Sequence, residues 1–383
     1  MDAALSLLRD LVAIDSVNPS LVPGAAGEAQ IGHAIAAHLG RIGLDVVRQP
    51  VDGDRANIIG VLDGRTPGRS LMLCGHIDTV GVEGMDAPFT PDERDGRIYG
   101  RGAQDMKGGV AAMIDAARVI AQRGLAAGRL IVAAVVDEEY ESRGADALVR
   151  EWRADAGVVT EPTDLRIAVA HKGFAWFEIE TRGRAAHGSR PADGRDAILY
   201  MGRILSRLEA LDWKLQASPA HPLLGTASLH ASLIHGGREL SSYPDRCVLR
   251  MERRTIPGET VERVWQEVDE ILTELKAADP AFEAETRLLF SRPPYELRDR
   301  HPVAQAMGRA AERATGRTQT FGGMSFWTDA AVLGEAGIPS VLYGPGGAGL
   351  HSTEEFVLVD DVITCRDVLV DLAVDWCGRA NGE

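Results

Sequence analysis

The chain has 383 residues with a formal net charge of −15, and 45% of them are hydrophobic against 25% charged. This length exceeds a single core of ordinary size, so about two domains are expected. The acidic balance argues against nucleic acid as a partner, because phosphate backbones select basic surfaces, and no apolar run approaches membrane-spanning length. The N-terminal stretch carries early acids and places Leu5, Leu8, Leu11 and Val12 at helical spacing, which reads as an amphipathic helix and not a signal peptide. Cys74, Cys247, Cys365 and Cys377 lack CxxC spacing and read as buried free thiols. A cytoplasmic location is expected.

Helical patterns cover about 3–14 and 27–42. Strand-like runs follow at Leu44–Arg48, Asn57–Leu62 and Leu71–Cys74. A helix from about Lys107 to Gln122 leads to the run Leu130–Val136, then to a helix near 144–152 and the short strand Gly157–Thr160. Long apolar runs of this kind indicate strands covered on both faces by helices. After Lys172-Gly173 the texture changes. Phe174–Thr181 and Cys247–Glu252 alternate, with helical segments at about 193–209 and 259–277. Such alternation suits a sheet with one face covered and one wet. Beyond Arg292-Pro-Pro294 the first texture returns, with helices near 302–315, 329–336 and 360–376 and the strand Ser340–Tyr343. The expected fold is therefore α/β. Residues 1–172 and 291–383 form a discontinuous domain with a mixed, mostly parallel sheet flanked by helices. A smaller α+β unit over 173–290 is inserted into it.

Chemistry-bearing side chains gather where these strands end. His76 and Asp78 follow Leu71–Cys74, Glu138 and Glu139 follow Leu130–Val136, and Glu161 follows Gly157–Thr160. Asp105 lies in a glycine-rich turn and His351 in a glycine-rich loop. Ligands of open α/β sheets bind beyond the carboxyl ends of the strands. Two imidazoles and several carboxylates without a thiolate suit a hard-to-borderline metal and suggest hydrolysis. Gly344-Pro-Gly346-Gly-Ala-Gly349 matches the spacing of a dinucleotide fingerprint, but no apolar helical period follows and Pro345 removes a backbone donor. An oxidoreductase is rejected on that ground.

Read together, the motifs Gly75-His-Ile-Asp-Thr-Val80, Gly100-Arg-Gly-Ala-Gln-Asp-Met-Lys-Gly108, Asp137-Glu-Glu139, Glu161-Pro162 and Gly344-Pro-Gly346 resemble the M20 family of zinc-dependent peptidases and deacylases over essentially the whole chain. The resemblance implies two divalent cations, zinc first, with cobalt or manganese also compatible. His76 and Glu161 would hold one, Glu139 and His351 the other, and Asp105 would bridge them. Asp78 would orient His76 by accepting its other ring N–H. The Asp105–Met106 peptide would be cis. Glu138 would be the general base. The inserted unit would carry two helices on a four-stranded sheet and make a homodimer, in which His187 stabilises the oxyanion in the partner's site. Arg254 would grip a substrate carboxylate, and the backbone beside His351, at Gly346, would meet substrate. Ser241 stands where the family usually has asparagine. The expected activity is acetylornithine deacetylase-like hydrolysis of small N-acyl amino acids. The alternative is a carboxypeptidase or dipeptidase acting on short peptides, or a succinyl-diaminopimelate desuccinylase-like enzyme.

Overall fold

The computed structural model describes residues 2–378, which separate into two compact units. The first runs through Val169 and resumes over Leu297–Gly322 and from Thr328 onward; the second comprises Ala170–Glu296 and Gly323–Trp327. The second unit thus includes a short segment, 323–327, that the sequence texture groups with the first.

In the first unit the larger sheet runs in the order Asp45–Asp52, Arg55–Asp63, Ala127–Val135, Thr66–His76, Ala156–Val159, Ser340–Leu342, Ile167–His171. The four strands from Ala127–Val135 to Ser340–Leu342 are mutually parallel, and their neighbours on either side are antiparallel. The apolar runs behave as covered strands: Leu71–Cys74 are fully buried, and Leu130–Val135 nearly so. Helices Gly108–Arg123 and Val359–Cys377 pack on Thr66–His76, while Ala29–Arg41 packs on Arg55–Asp63. The first helix, Ala3–Val12, is capped by Asp2, whose carboxylate accepts Ala4 N–H at 2.9 Å. Its predicted apolar face (Leu5, Leu8, Leu11, Val12) is buried. An irregular turn, Ala103–Lys107, precedes Gly108–Arg123 and contains the cis Asp105–Met106 peptide.

The chain also forms a small antiparallel sheet that periodicity does not predict, including the hairpin Asp92–Arg94 and Arg97–Tyr99. Asp95-Gly96 joins these strands with φ of 51° and 70°. Asp-Gly is the dipeptide that a two-residue turn of this hand requires, so the local signal was present. After Gly347–Ala348 the chain enters the strand Phe356–Leu358 and not a helix, as expected from dismissing the dinucleotide motif.

The second unit is an antiparallel sheet ordered Ser228–Gly236, Arg246–Thr255, Gly173–Arg182, Glu283–Arg292, with helices Ala197–Gln216 and Val261–Ala278. Phe177, Ile179, Leu249 and Met251 face the helices and share a core with Tyr200, Met201, Ile204, Val264 and Val268. The alternate positions carry charge: Glu178 pairs with Arg250 and Arg287, and Glu180 with Arg182 and Arg246. This is the one-face-wet sheet that the alternation predicts. Its two edge strands, Ser228–Gly236 and Glu283–Arg292, escaped prediction because most of their side chains are solvent-accessible, so neither face imposes a period.

Candidate metal centre

Three of the parallel strands deliver the expected residues at their carboxyl ends. Thr66–His76 ends on His76, Ala127–Val135 leads into Asp137–Glu139, and Ala156–Val159 leads to Glu161. Asp137 turns the chain with φ of 70°, a left-handed conformation that aspartate tolerates better than most residues.

Asp105 lies between the two histidines. Its Oδ1 is 3.0 Å from His76 Nε2, and its Oδ2 is 3.3 Å from His351 Nε2. Glu161 Oε1 lies 3.9 Å from His76 Nε2, and Glu139 Oε2 lies 3.1 Å from His351 Nε2. Donor atoms of His76, Asp105 and Glu139 fall within 4.8 Å of one another, as do those of His76, Glu138 and Glu161. The five expected ligands and Glu138 are therefore brought together. His351 contributes from an exposed loop, whereas His76 and Glu161 are buried.

The electrostatics of this cluster call for positive charge. Burial, offset partly by His76 and reinforced by the charges of Glu161, Asp329 and Glu139, raises the Glu138 carboxyl well above its usual range. Burial and the charge of Asp105 push Glu139 up to about 7, and Glu161 is raised well above its ordinary value, with burial the largest cause. Asp105 goes the other way. Burial would raise it, but hydrogen bonds from His351 and His76 hold it well below the carboxylate range. His351 rises to about 10 beside Asp105 and Glu139.

Divalent cations fit the donor set. His76 Nδ1 donates to the main-chain carbonyl of Asp78 at 3.0 Å, which aims Nε2 at two carboxylates. Glu139 Oε1 is buried and has no hydrogen-bond partner among the described residues. Imidazoles, carboxylates and an unpartnered buried oxygen converging on one space form the ligand chemistry of zinc-like ions.

Asp78 differs from its expected contact. Its carboxylate Oδ1 lies 3.6 Å from His76 Nδ1, farther than its own carbonyl. The carboxylate instead accepts the backbone N–H groups of Glu138 and Glu139, each at 3.1 Å. Asp78 thus grips both the ring and the loop that bears the two glutamates.

Glu355 holds the Asp105 turn in the same manner. It is buried and accepts Gly102 N–H at 3.0 Å, Gln104 N–H at 2.9 Å, Asp105 N–H at 3.0 Å and Arg101 Nη1 at 2.6 Å. The Glu354-Glu355 pair near His351 was visible in the sequence, but only the fold singles out Glu355.

The remaining expected residues have other surroundings. Gly346 N–H donates to Asp361 Oδ2 at 3.0 Å, so the amide expected to meet substrate is engaged within the protein. A Cβ at Gly346 would stand 2.7 Å from that oxygen, and this packing accounts for the glycine. In the second unit His187 is exposed and its Nδ1 lies 2.8 Å from Ser189 Oγ. Arg254 Nε donates to Glu252 Oε1 at 2.6 Å, and its guanidinium lies over Phe174, 5.6 Å from the ring centre. Ser241, in place of the family asparagine, accepts Gly188 N–H through its carbonyl at 2.7 Å.

Comparison with known proteins agrees with this chemistry. Residues 72–375 match the sequence profile of peptidase family M20/M25/M40. An acetylornithine deacetylase from Myxococcus xanthus is 34% identical over 337 residues, covering 85% of each chain. An N-formyl-4-amino-5-aminomethyl-2-methylpyrimidine deformylase from Bacillus subtilis is 28% identical, covering 93% of this chain and 91% of the relative. Among solved structures, a tripeptidase from Staphylococcus aureus superposes with a TM-score of 0.82 at 21% identity, covering 98% of both chains. A dinuclear metal-binding M20 peptidase from Bacillus subtilis gives 0.75 at 19%, again covering 98% of both. These two structures speak for the fold. With the profile match spanning most of its length and a relative at 34% identity, the chain belongs to peptidase family M20/M25/M40 and is a metal-dependent amidohydrolase.

Proposed function

We propose that this enzyme is an N-acyl-amino-acid deacylase of the acetylornithine deacetylase type. The observation that carries the reading is Asp105, whose two oxygens face two different histidines, each flanked by a further carboxylate. His76 and Glu161 would hold one zinc ion and Glu139 and His351 the other, with Asp105 shared. Such a pair supplies Lewis-acid polarisation and a water acidic enough to ionise near neutral pH. Glu138, whose carboxylate lies beside His76 and Glu161, takes the proton of the attacking water and returns it to the departing amine. Asp78 keeps Glu138 and Glu139 aimed by holding their backbone N–H groups. Arg254 donates to Glu252 through Nε, and its Nη edge has the planar fork that suits a substrate carboxylate.

Relatives named acetylornithine deacetylase at 29–34% identity support the acyl-amino-acid substrate. Exposed apolar side chains on the second unit support a homodimer: Leu199 and Trp213, each 66% exposed, lie on the helix Ala197–Gln216, and Leu233 and Ile234 on the edge strand Ser228–Gly236. His187 would then act in the partner's site. Four buried thiols without a disulfide support a reducing, cytoplasmic setting, and no helix among the described residues is long and apolar enough to cross a membrane. The test is a screen of N-acetyl, N-formyl and N-succinyl amino acids against dipeptides, with metal content measured on the same sample. Release of amino acid from N-acyl substrates well above dipeptide cleavage is expected. Preferential dipeptide cleavage refutes the deacylase reading in favour of a peptidase.

A further inference from the structure

A buried polar network ties Asp78 and Asp137 to Asn18, Arg55 and Glu28. Arg55, on the strand Arg55–Asp63, is 8% exposed and reaches four groups. Its Nε and Nη2 form a fork on Glu28, at 2.8 and 2.6 Å. Nη1 donates to Ser20 Oγ at 3.0 Å, and Nη2 also meets Asp137 Oδ1 at 2.7 Å and Asn18 Oδ1 at 3.3 Å. Asn18 is fully buried, and its amide nitrogen donates to Asp78 Oδ2 at 2.8 Å and to Asp137 Oδ1 at 3.2 Å. Backbone bonds lay the Asn18 segment beside Asp78: Asn18 N–H donates to Thr79 O at 2.9 Å, and Thr79 N–H to Ser16 O at 3.0 Å.

Each link has a physical reason. Asp78, Asp137 and Glu28 are three buried acids, and a single guanidinium in a planar fork can hold two of them while presenting an edge to a third group. Asn18 is suited to the gap between Asp78 and Asp137 because its NH₂ has two donors, one for each carboxylate. Asp137 is held in its left-handed turn immediately before Glu138, and Asp78 clamps the next two N–H groups.

We propose that Asn18 and Arg55 are positioning residues that act through Asp78 and Asp137 to hold the Glu138–Glu139 backbone in its working geometry. The proposal rests on Glu138 and Glu139 having the roles assigned above. Supporting groups of this kind alter activity by about 10–100-fold when removed.

The experiment uses the full metal-loaded enzyme and two variants, Asn18→Leu, which keeps the shape and loses the donors, and Arg55→Lys, which keeps the charge and loses the fork. Hydrogen exchange is followed on peptides covering 137–142 and, as an internal reference, 127–135, alongside kcat, KM and metal content. For Asn18→Leu the Glu138 and Glu139 amides should exchange at least about tenfold faster, because an anchored acceptor has been loosened. The reference strand should be unchanged, metal retained, kcat lowered about 10–100-fold and KM nearly constant. Arg55→Lys should show the same pattern at smaller amplitude. Unaltered exchange at 138–139 in a folded variant overturns the proposal, and so does equal acceleration in the reference strand, which marks general loosening. If Asn18→Leu does not fold, Arg55→Lys decides by the same criteria. Faster exchange with undiminished kcat overturns the catalytic half; a Glu138→Ala enzyme that still turns over then traces the failure to the role given to Glu138.

Discussion

Glu355→Gln is a sharp perturbation because it changes one atom of a carboxylate that receives four donors. In the native chain Oε1 accepts Gln104 and Asp105 N–H, while Oε2 accepts Gly102 N–H and Arg101. A glutamine keeps only one acceptor oxygen. Turned toward Gln104 and Asp105, it leaves Arg101 and the Gly102 N–H facing an NH₂, at about 3–5 kcal/mol for the broken buried ion pair and about 1–3 kcal/mol for the orphaned N–H. Turned toward Arg101, it orphans two buried backbone N–H groups at about 1–3 kcal/mol each. The less costly orientation still predicts destabilisation of about 2–6 kcal/mol, a large part of the 5–15 kcal/mol that typically separates folded from unfolded chains. Urea unfolding of the full chain measures this, with kcat on the same preparation. Turnover should fall as well, because the freed backbone carries Asp105. Glu354→Gln is the control: this neighbour is exposed, and its change should remain within about 0.5 kcal/mol. A Glu355→Gln enzyme within about 1 kcal/mol of the parent with unchanged kcat would refute the reasoning.

His171 is fully buried, and burial lowers its pKa from 6.5 to about 4. The unfolded chain therefore takes up a proton at pH values where the folded chain does not. Stability should be level above pH 6.5 and fall between 6.5 and about 4 by about 3–4 kcal/mol, from two and a half pH units at about 1.4 kcal/mol each. Parallel urea titrations of the parent and His171→Asn should diverge across that window, and identical pH profiles would refute the assignment. Glu138→Ala should lose activity by several orders of magnitude while elemental analysis finds its metal content unchanged; near-normal turnover would contradict its role. For the proposed homodimer, the parent should sediment as a dimer and a Trp213→Glu, Leu233→Glu double variant as a monomer; a monomeric parent refutes the dimer, and a variant that keeps a dimeric parent's mass refutes these residues as its interface. Incubation with a chelator should abolish turnover, and zinc or cobalt should restore it; activity that survives complete metal removal refutes the metal reading.

Much of the larger sheet and most of the acids and histidines that the fold gathers around Asp105 were legible in the chain, since the runs Leu71–Cys74, Leu130–Val136 and Gly157–Thr160 each lead into an acid or histidine. Periodicity reports burial on an element's own faces, and these strands are buried on both. The exposed edge strands Ser228–Gly236 and Glu283–Arg292 lacked that pressure and were not separately resolved. Gly346 illustrates a partner that its motif does not reveal: the folded chain commits its N–H to Asp361.

By itself the order of residues determined the helices and the covered strands, the acids and imidazoles at the strand ends and the chemical class of the centre, because those signals are local. Tertiary structure alone decided what holds the centre in place. Asn18 meets Asp78 across 60 positions, Arg55 meets Asp137 across 82, and Glu355 meets Asp105 across 250. A buried hydrogen bond is set by distance and direction in space, and no spacing along the chain records which distant partner will satisfy it.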